Sequence, residues 1–239
     1  MIPIGGKPIV GILLDQLEEL GFEKVVIVGG AISEQIGHYW ERQLRSSHTE
    51  ADASPRGIAV TVIRVETATV PRGTAFSLSA AEKHIGEEPY LVLYGDTLFE
   101  SSDIARLVNG FEAAFSGGGP VAAALVSPLG QEAPQDWICC QTEGGRVSRI
   151  LGHPRDGCSH RFGAFALTKS FLPYCAANSG IFTGVQVGMM PPLEGHLEMS
   201  LADWIEDGHP VLAIETEGEF FDIDKPWHIM QANEWRVRR

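Results

Sequence analysis

Apolar residues in the first part of the chain follow two spacings in turn. From Pro8 onward they recur every three or four residues, at Ile9, Ile12, Leu13, Leu17 and Leu20. This spacing predicts an amphipathic helix that begins near Pro8 and ends at Gly21. The run KVVIV, Lys24 to Val28, follows and is short, continuous and rich in β-branched residues. Such a run is typical of a strand that is buried on both faces.

Helical and strand-like patterns continue to alternate as far as Tyr94. The predicted elements are a helix near Ser33 to Leu44, a strand near Ile58 to Val65, a helix that opens at Gly73 or Thr74, and a strand at Tyr90 to Tyr94. Strands and helices that take turns along the chain predict a parallel sheet with helices on both of its faces.

The second half of the chain shows a different rhythm. Strand-like runs with short Gly or Pro punctuation lie at Val121 to Val126, Trp137 to Thr142, Val147 to Leu151 and Phe162 to Leu167. They predict an antiparallel extension of the sheet. A helix at Leu197 to Asp207, a strand at Val211 to Glu215 and a helix from Pro226 to Val237 complete the pattern. We therefore predict one α/β domain over residues 1–239, with a Rossmann-like, doubly wound and mostly parallel sheet that has an antiparallel extension in the second half.

Composition and charge narrow the classes of partner. The chain has 239 residues, 44% of them hydrophobic, and a formal net charge of −13. A negative field disfavours nucleic acid and anionic membrane surfaces, so a phosphate-bearing ligand must be met by local groups. No run approaches the roughly 20 apolar residues of a membrane span, and no signal peptide is evident, so we expect a cytoplasmic protein. The four cysteines form no CxxC pattern, and we expect buried thiols rather than zinc ligands or disulfides.

Two acidic segments are candidates for metal binding. Asp96 follows the apolar run Leu91 to Tyr94 and Gly95, at the carboxyl end of a predicted strand, where ligands bind in open α/β sheets. Asp222 lies two residues before Asp224 in the sequence FFDID. Carboxylates from two parts of the chain can together hold Mg²⁺, which also offsets phosphate charge. The alternative for both segments is structural, as helix caps or turns.

A third segment, VPRGTA, places Gly73 and Thr74 at a helix start. The first amides of a helix have no partner within the helix, so they can bind an anion or the edge of a base. A tight turn explains the same residues.

Four segments in chain order resemble the sugar-1-phosphate nucleotidyltransferase family, most closely its uridylyl- and thymidylyltransferase branch. They are IPIGGKPIVGILLDQLEELGFEKVVIVGG from Ile2, PRGTAFSL from Pro71, LVLYGDTLF from Leu91 and EGEFFDIDKPWHIMQANEW from Glu217. The resemblance implies the nucleotide-diphospho-sugar transferase fold and an enzyme that joins a nucleoside triphosphate to a sugar 1-phosphate with release of pyrophosphate. It further implies that Asp96 and Asp222 bind Mg²⁺, that Gly73 lies against the nucleotide and that Gly163 lines the sugar side.

The chain departs from the family pattern at several positions. Ala68 stands where the family commonly has a base-reading glutamine, and Trp137 stands at or beside a sugar-contacting glycine. The family's Glu-Lys-Pro is matched by Gly152, His153 and Pro154, so the acceptor phosphate would meet His153, with Arg161 restoring a cation nearby. His153 is equally well read as a loop histidine with no role, and Trp137 as a core residue.

The family's opening strand and glycine-rich loop would precede the matched segment, whereas this sequence begins at Met1. We therefore weigh three hypotheses. The first is a Mg²⁺-dependent transferase, active or N-terminally truncated. The second is a catalytically silent relative that acts as a regulatory or assembly subunit, and the third is a generic α/β domain that binds a nucleotide without transferring it. A homo-oligomer is left open. Without an opening strand, the strands at Lys24 to Val28 and Leu91 to Tyr94 would leave backbone groups unpaired, each costing about 1 to 3 kcal/mol. We expect the two strands to pair with each other, or a second chain to contribute.

Overall fold

Twelve strands and seven helices are formed by the residues that the structure describes. The structure is a computed structural model, and it describes residues 1–30, 33–47, 57–65, 73–116, 121–129, 138–151, 157–178 and 195–238. The strands are β1 (Pro3–Ile4), β2 (Lys7–Pro8), β3 (Lys24–Gly29), β4 (Ala59–Arg64), β5 (Tyr90–Leu93), β6 (Thr97–Leu98), β7 (Ala122–Pro128), β8 (Cys139–Glu143), β9 (Arg146–Leu151), β10 (His160–Leu167), β11 (Val211–Glu215) and β12 (Phe221–Asp222). The helices are α1 (Ile9–Glu19), α2 (Ser33–Ser47), α3 (Gly73–Ala80), α4 (Ser101–Phe115), α5 (Leu172–Ala177), α6 (Leu197–Glu206) and α7 (Pro226–Val237).

Backbone contacts divide the chain into two compact units. The first comprises Met1–Glu66, Gly95–Ser101 and Phe221–Arg239, and the second comprises Thr67–Tyr94 and Ser102–Phe220. That residues 1–239 form a single domain stays a prediction.

The first unit opens with a tight hairpin. β1 and β2 pair antiparallel around Gly5 and Gly6, whose φ angles are +58° and +80°. Positive φ at both central residues is the requirement of a type I′ turn, which glycine meets without strain. α1 follows and buries the apolar stripe that the sequence predicted, including Ile12 and Leu17. β3 and β4 then pair in parallel, and β6 pairs with β12 in a short antiparallel ladder.

The second unit is built on a six-stranded sheet in the order β5-β10-β7-β11-β9-β8. β8 also pairs with the start of β10, so β10, β7, β11, β9 and β8 close into a ring of strands. Residues Ala122–Val126 of β7 are all buried. The three small alanines among them lie in a core with larger residues of the neighbouring strands. α3, α5 and α6 pack against one another and share this core, in which Trp204 is 1% exposed.

The α/β class agrees with the sequence prediction, but the sheets are mixed rather than mostly parallel. Among the described residues, only β3–β4 and β7–β11 are parallel pairs. β10 enters the second sheet antiparallel to both β5 and β7, and β8 and β9 form a hairpin. Most of the six-stranded sheet is therefore antiparallel, because β10 lies between β5 and β7 and runs antiparallel to both.

Of the two alternatives expected for β3 and β5, their pairing with each other is wrong, and the contribution of a second chain stays a prediction. Within the described part of the chain, β3 pairs only with β4, and β5 pairs only with β10, so the two strands belong to different sheets. β5 finds its backbone partners in Ala164 to Leu167 of β10. The order of apolar runs along the chain does not show that the backbone partner of β5 is β10, a strand about seventy residues later.

The expectation that all four cysteines are thiols is also corrected. Cys139 and Cys158 are joined by a disulfide, with their Cα atoms 5.8 Å apart, while Cys140 and Cys175 are free and buried. The strand pairing brings the half-cystines together, because β8 begins at Cys139 and lies beside the start of β10. None of the helices in the described ranges has the length and apolar character to cross a membrane.

Candidate functional site

The two aspartates predicted to bind metal lie on one two-stranded ladder of the first unit. Asp222 of β12 pairs with Thr97 of β6, the residue after Asp96. The ladder is extended by one further bond, in which the Ile223 amide donates to the Asp96 carbonyl over 2.9 Å. Residues 126 positions apart in sequence (222 − 96) thus occupy neighbouring backbone positions.

The regular alternation of buried and exposed residues along the β6–β12 ladder is interrupted at Asp96. Ile223 is buried at 4% exposure, whereas Asp96, to which it is hydrogen-bonded, is exposed. Residues directly opposite on an antiparallel ladder normally share a face. Gly95 and Asp96 form a turn before β6 begins, and this turn presents the Asp96 carboxyl to solvent while Thr97 and Leu98 remain buried.

The pKa of Asp96 lies above its ordinary value. The largest cause is displacement of water by the surrounding protein, although the side chain keeps contact with solvent, and the negative charge of Asp224 adds to it. A hydrogen bond between the Asp96 carboxylate and its own backbone lowers this pKa. A carboxylate that is costly to ionise and faces a second carboxylate gains from a nearby cation.

Asp224 already has cationic or hydrogen-bonding neighbours of its own. Its Oδ1 lies 2.7 Å from His228 Nδ1, and its Oδ2 lies 3.6 Å from Lys225 Nζ. These side chains come from the start of α7, so Asp224 is tied to the helix that follows it. Asp224 thus serves this helix start, and the sharing of a cation by Asp96 and Asp222 stays a prediction.

Removal of the Asp96 charge is expected to stabilise the metal-free protein at neutral pH. Because the folded-state pKa of Asp96 is raised, the unfolded chain loses this proton first as the pH rises. Stability conferred by the protonated form is therefore lost between the ordinary and the raised pKa. Urea midpoints measured in EDTA should be higher for Asp96→Asn than for the natural chain at neutral pH, and the two should converge near about pH 3. Glu112→Gln, on the exposed face of α4, controls for the loss of one surface charge. A variant that is less stable at neutral pH would contradict the sign.

Gly73 and Thr74 lie at the start of α3 in the second unit, as predicted. Gly73 has a φ of +71°, and a Cβ added there would meet the backbone of Gly195, 2.7 Å from its carbonyl carbon. The Ala75 amide donates to the Gly195 carbonyl over 3.0 Å, and Thr74 Oγ1 accepts from the Leu197 amide over 2.8 Å. The Thr74 hydroxyl thus accepts a hydrogen bond at the start of α6, and its O–H group remains able to donate.

Arg161 and Gly163 lie on β10, also in the second unit. The Arg161 guanidinium lies over the Phe220 ring, 4.3 Å from its centroid, and its Nη2 is 3.5 Å from the Phe220 carbonyl. Phe220 opens the FFDID segment, so Arg161 holds the residue two positions before Asp222. Gly163 is buried at a bulge, where the pairing of β10 with β7 shifts between Phe162 and Ala164. Bulges of this kind bend a strand and re-aim its side chains, often beside active sites.

Three residues singled out from the sequence lie outside the described residues. These are Ala68, Trp137 and His153. Their expected roles in base choice, sugar contact and phosphate binding stay predictions.

The sequence analysis missed Asp103 of α4. This aspartate is fully buried and accepts hydrogen bonds from the amides of Glu217 and Gly218, over 2.8 and 3.0 Å. Arg106 pairs with Asp103 and donates to the Glu215 carbonyl over 2.7 Å. The segment that leaves β11 is thereby fixed to α4. The spacing of Ile104, Leu107 and Phe111, all buried, was a signal for this helix.

The donor set on the β6–β12 ladder fits Mg²⁺ better than a transition metal. Mg²⁺ is usually held by one or two carboxylates together with waters and substrate phosphates, rather than by a complete set of protein ligands. In the described ranges no group of three or more His, Cys, Asp or Glu is arranged to hold a metal. Two carboxylates, one of which has a raised pKa, form an incomplete ligand set. Such a set suits a cation whose remaining ligands come from a bound phosphate.

The fold is shared with solved nucleotidyltransferases. A UDP-glucose pyrophosphorylase solved with UDP-glucose superposes with a TM-score of 0.76 at 16% identity, over 100% of this chain and 90% of that one. A putative glucose-1-phosphate thymidylyltransferase from Bacillus anthracis gives 0.71 at 16% identity, over 98% and 84%. At this identity the likeness concerns the fold alone.

The chain belongs to the family of MobA-like NTP transferase domains, whose model matches residues 1–218. It is similar to the low-salt glycan biosynthesis nucleotidyltransferase Agl11 of Haloferax volcanii, with 21% identity over 98% of this chain. It is also similar to the UTP–glucose-1-phosphate uridylyltransferase AglF of the same organism, with 25% identity over 95% of this chain. The chain spans 58% of the length of Agl11 and 82% of that of AglF. These relatives agree with the resemblance found in the sequence.

Proposed function

We propose that this chain is a Mg²⁺-dependent nucleotidyltransferase that joins a nucleoside triphosphate to a sugar 1-phosphate and releases pyrophosphate. The observation that carries the proposal is the β6–β12 pairing, which supports a shared role for Asp96 and Asp222. Membership of the NTP transferase family and the similarity to AglF support the reaction class.

Asp96 and Asp222 would hold the Mg²⁺ in this proposal. When bound, the ion neutralises charge on the phosphates of the triphosphate. The ladder contributes rigidity, because each carboxylate is carried by a backbone that is hydrogen-bonded to the other's strand. Rigid placement of ligand-binding groups is what a reaction of this type requires, since it proceeds by positioning and charge stabilisation without a covalent protein intermediate.

Gly73 and Thr74 would bind the nucleotide through the backbone. The positive φ of Gly73 and its contact with Gly195 fix the start of α3, and the Thr74 hydroxyl is already used by Leu197. We assign the Thr74 contact to its amide, because the first amides of a helix have no partner within the helix and lie at its electropositive end. Such a contact reads shape more than base identity, so the choice of nucleotide must come from elsewhere.

Arg161, with Gly163 and His153, would bind the sugar phosphate. The Phe220 ring contacts the guanidinium of Arg161 by a cation–π interaction, and this guanidinium would supply the positive charge for an acceptor phosphate. Gly163 has no side chain to exclude a sugar from the bulge in β10. His153 stays a prediction from the sequence.

Pyrophosphate release tests the proposal. The protein is incubated with each of the common nucleoside triphosphates and a panel of sugar 1-phosphates, in Mg²⁺ and in EDTA. We expect release that needs both substrates and is abolished by EDTA. Absence of release with every pair would refute the transferase and favour the silent regulatory relative.

Substitution of Arg161 is expected to weaken binding of the sugar phosphate more than it slows turnover. Loss of a hydrogen bond to a charged group costs about 1.5 to 3 kcal/mol, so the KM for sugar 1-phosphate should rise roughly 10- to 100-fold in Arg161→Met. Met keeps an apolar contact with Phe220, and Arg161→Lys should recover part of the affinity. Arg149→Met, at an exposed position of β9, is the matched control. An unchanged KM in Arg161→Met would remove Arg161 from the acceptor site.

A further inference from the structure

The Cys139–Cys158 disulfide lies beside the strand position of Arg161. Cys139 is the first residue of β8, and its Cα partner on β10 is Arg161. Cys158 lies two residues before β10 begins. The bridge therefore joins the two chain segments that meet at the start of β10, next to the residue we assign to the acceptor phosphate.

The two sulfur atoms differ in access to solvent. Cys139 is completely buried, whereas Cys158 is half-buried. Thiol–disulfide exchange begins with attack of a thiolate on an accessible sulfur. A dithiol reductant would thus attack Cys158 Sγ and expel the sulfur of Cys139.

Both redox states have hydrogen-bond partners in this structure. Cys139 Sγ lies 3.8 Å from the Leu151 carbonyl oxygen, and Cys158 Sγ lies 4.0 Å from the His160 carbonyl oxygen. A thiol formed at either position can donate to that oxygen without rearrangement. The reduced protein therefore avoids the cost of a buried thiol without an acceptor.

The remaining described cysteines do not compete in this exchange. Cys140 and Cys175 are buried thiols, and burial raises the pKa of each to about 12. At neutral pH they hold almost no thiolate, which is the reactive form.

We propose that Cys139–Cys158 is a reversible oxidation site that fixes the strand end carrying Arg161 and thereby regulates binding of the sugar phosphate. The regulatory part rests on the proposed function. In reduction a dithiol forms a mixed disulfide with Cys158, and its second thiol then closes the reductant's own disulfide. Two electrons and two protons pass to Cys139 and Cys158, and a small-molecule disulfide reverses the exchange.

Reduction leaves the fold in place and acts locally. The segment is still held by Ser159, whose amide donates to the Cys140 carbonyl over 3.0 Å and whose carbonyl accepts from Leu129 over 3.0 Å. Cys139 is also paired with Leu151 of β9, whereas the pairs that join β10 to β8 beside the bridge are the two at His160 and Arg161. Their opening is the expected consequence of breaking it.

Alkylation and mass spectrometry test the bridge without any need for turnover. Protein oxidised with glutathione disulfide is unfolded and alkylated before and after treatment with dithiothreitol. We expect Cys140 and Cys175 to be labelled in the first step and Cys139 and Cys158 only in the second. Labelling of all four cysteines in the first step would overturn the proposal.

Hydrogen exchange and kinetics test the regulation. In the reduced protein and in Cys158→Ser, the amides of His160 and Arg161 should exchange about tenfold faster, and the KM for sugar 1-phosphate should rise about tenfold with kcat changed less. Cys175→Ser should match the natural protein. Equal exchange in the two redox states, or a faster-exchanging but equally tight-binding reduced enzyme, would overturn the regulation. A protein that forms the bridge and loosens on reduction yet releases no pyrophosphate would refute the proposed function and, with it, the regulatory clause, while the oxidation site would stand.

Discussion

Asp96→Asn and Asp222→Asn are each expected to lower kcat for pyrophosphate release by about 100- to 1,000-fold, the loss seen when one group that stabilises developing charge is removed. Asparagine keeps the size of the side chain and loses its charge. The backbone bonds of the β6–β12 ladder do not involve either carboxyl. The fold should therefore survive, and far-ultraviolet circular dichroism of both variants should match that of the natural protein.

Asp224→Asn is the matched control for this prediction. Asp224 lies in the same segment and raises the pKa of Asp96 through its charge, but it is paired with His228 and Lys225. We expect its substitution to change kcat by less than about tenfold. If Asp224→Asn is as damaging as Asp96→Asn while Asp222→Asn is mild, the second carboxylate of the site is Asp224 and our assignment is wrong.

A double variant sharpens the result. Two residues that hold one ion act as a unit, so losing both should cost little more than losing one. If the effects of Asp96→Asn and Asp222→Asn simply multiply, the two carboxylates act independently.

Gly73→Ala is expected to destabilise the protein by about 2 to 5 kcal/mol. Two costs combine at this position. An L-residue at a φ of +71° costs about 1 to 2 kcal/mol, and crowding of the new methyl group against backbone costs about 1 to 3 kcal/mol more. The methyl group would lie 2.7 Å from the carbonyl carbon and 2.8 Å from the nitrogen of Gly195, and backbone atoms cannot turn aside as a flexible side chain can.

Gly208→Ala separates the two costs. Gly208 has a φ of +86°, and nothing lies within 4 Å of a Cβ added there. Its substitution should therefore show the conformational cost alone, about 1 to 2 kcal/mol. The free energies of unfolding are measured by urea denaturation of both variants. Equal losses in the two variants would mean that α3 and the segment at Gly195 do not pack as the structure has them.

Local sequence patterns predicted many of the elements, because the spacing of apolar and polar side chains differs between a helix and a strand. The 3.6-residue period placed α1, and the predicted helix from Pro226 to Val237 and strand at Val211 to Glu215 coincide with α7 and β11. α4 was missed although Ile104, Leu107 and Phe111 carry the same period.

Asp103 could not have been identified in the same way. Its role depends on the amides of Glu217 and Gly218, and every residue except proline has such an amide. The residue types of Glu217 and Gly218 therefore do not indicate that their amides donate to Asp103. The disulfide is similar, since the spacing of the cysteines does not show that β8 and β10 are neighbours.

The sequence by itself determined the type of most elements and supplied the candidate residues for binding metal, nucleotide or phosphate, because residue type and spacing can be read from the chain alone. Only the tertiary structure decided which strands are neighbours: β10 between β5 and β7, β8 beside Arg161, and β12 against β6. The physical reason is that strands pair through backbone hydrogen bonds, which are nearly the same for every residue, so long-range pairing leaves little trace in the amino-acid sequence.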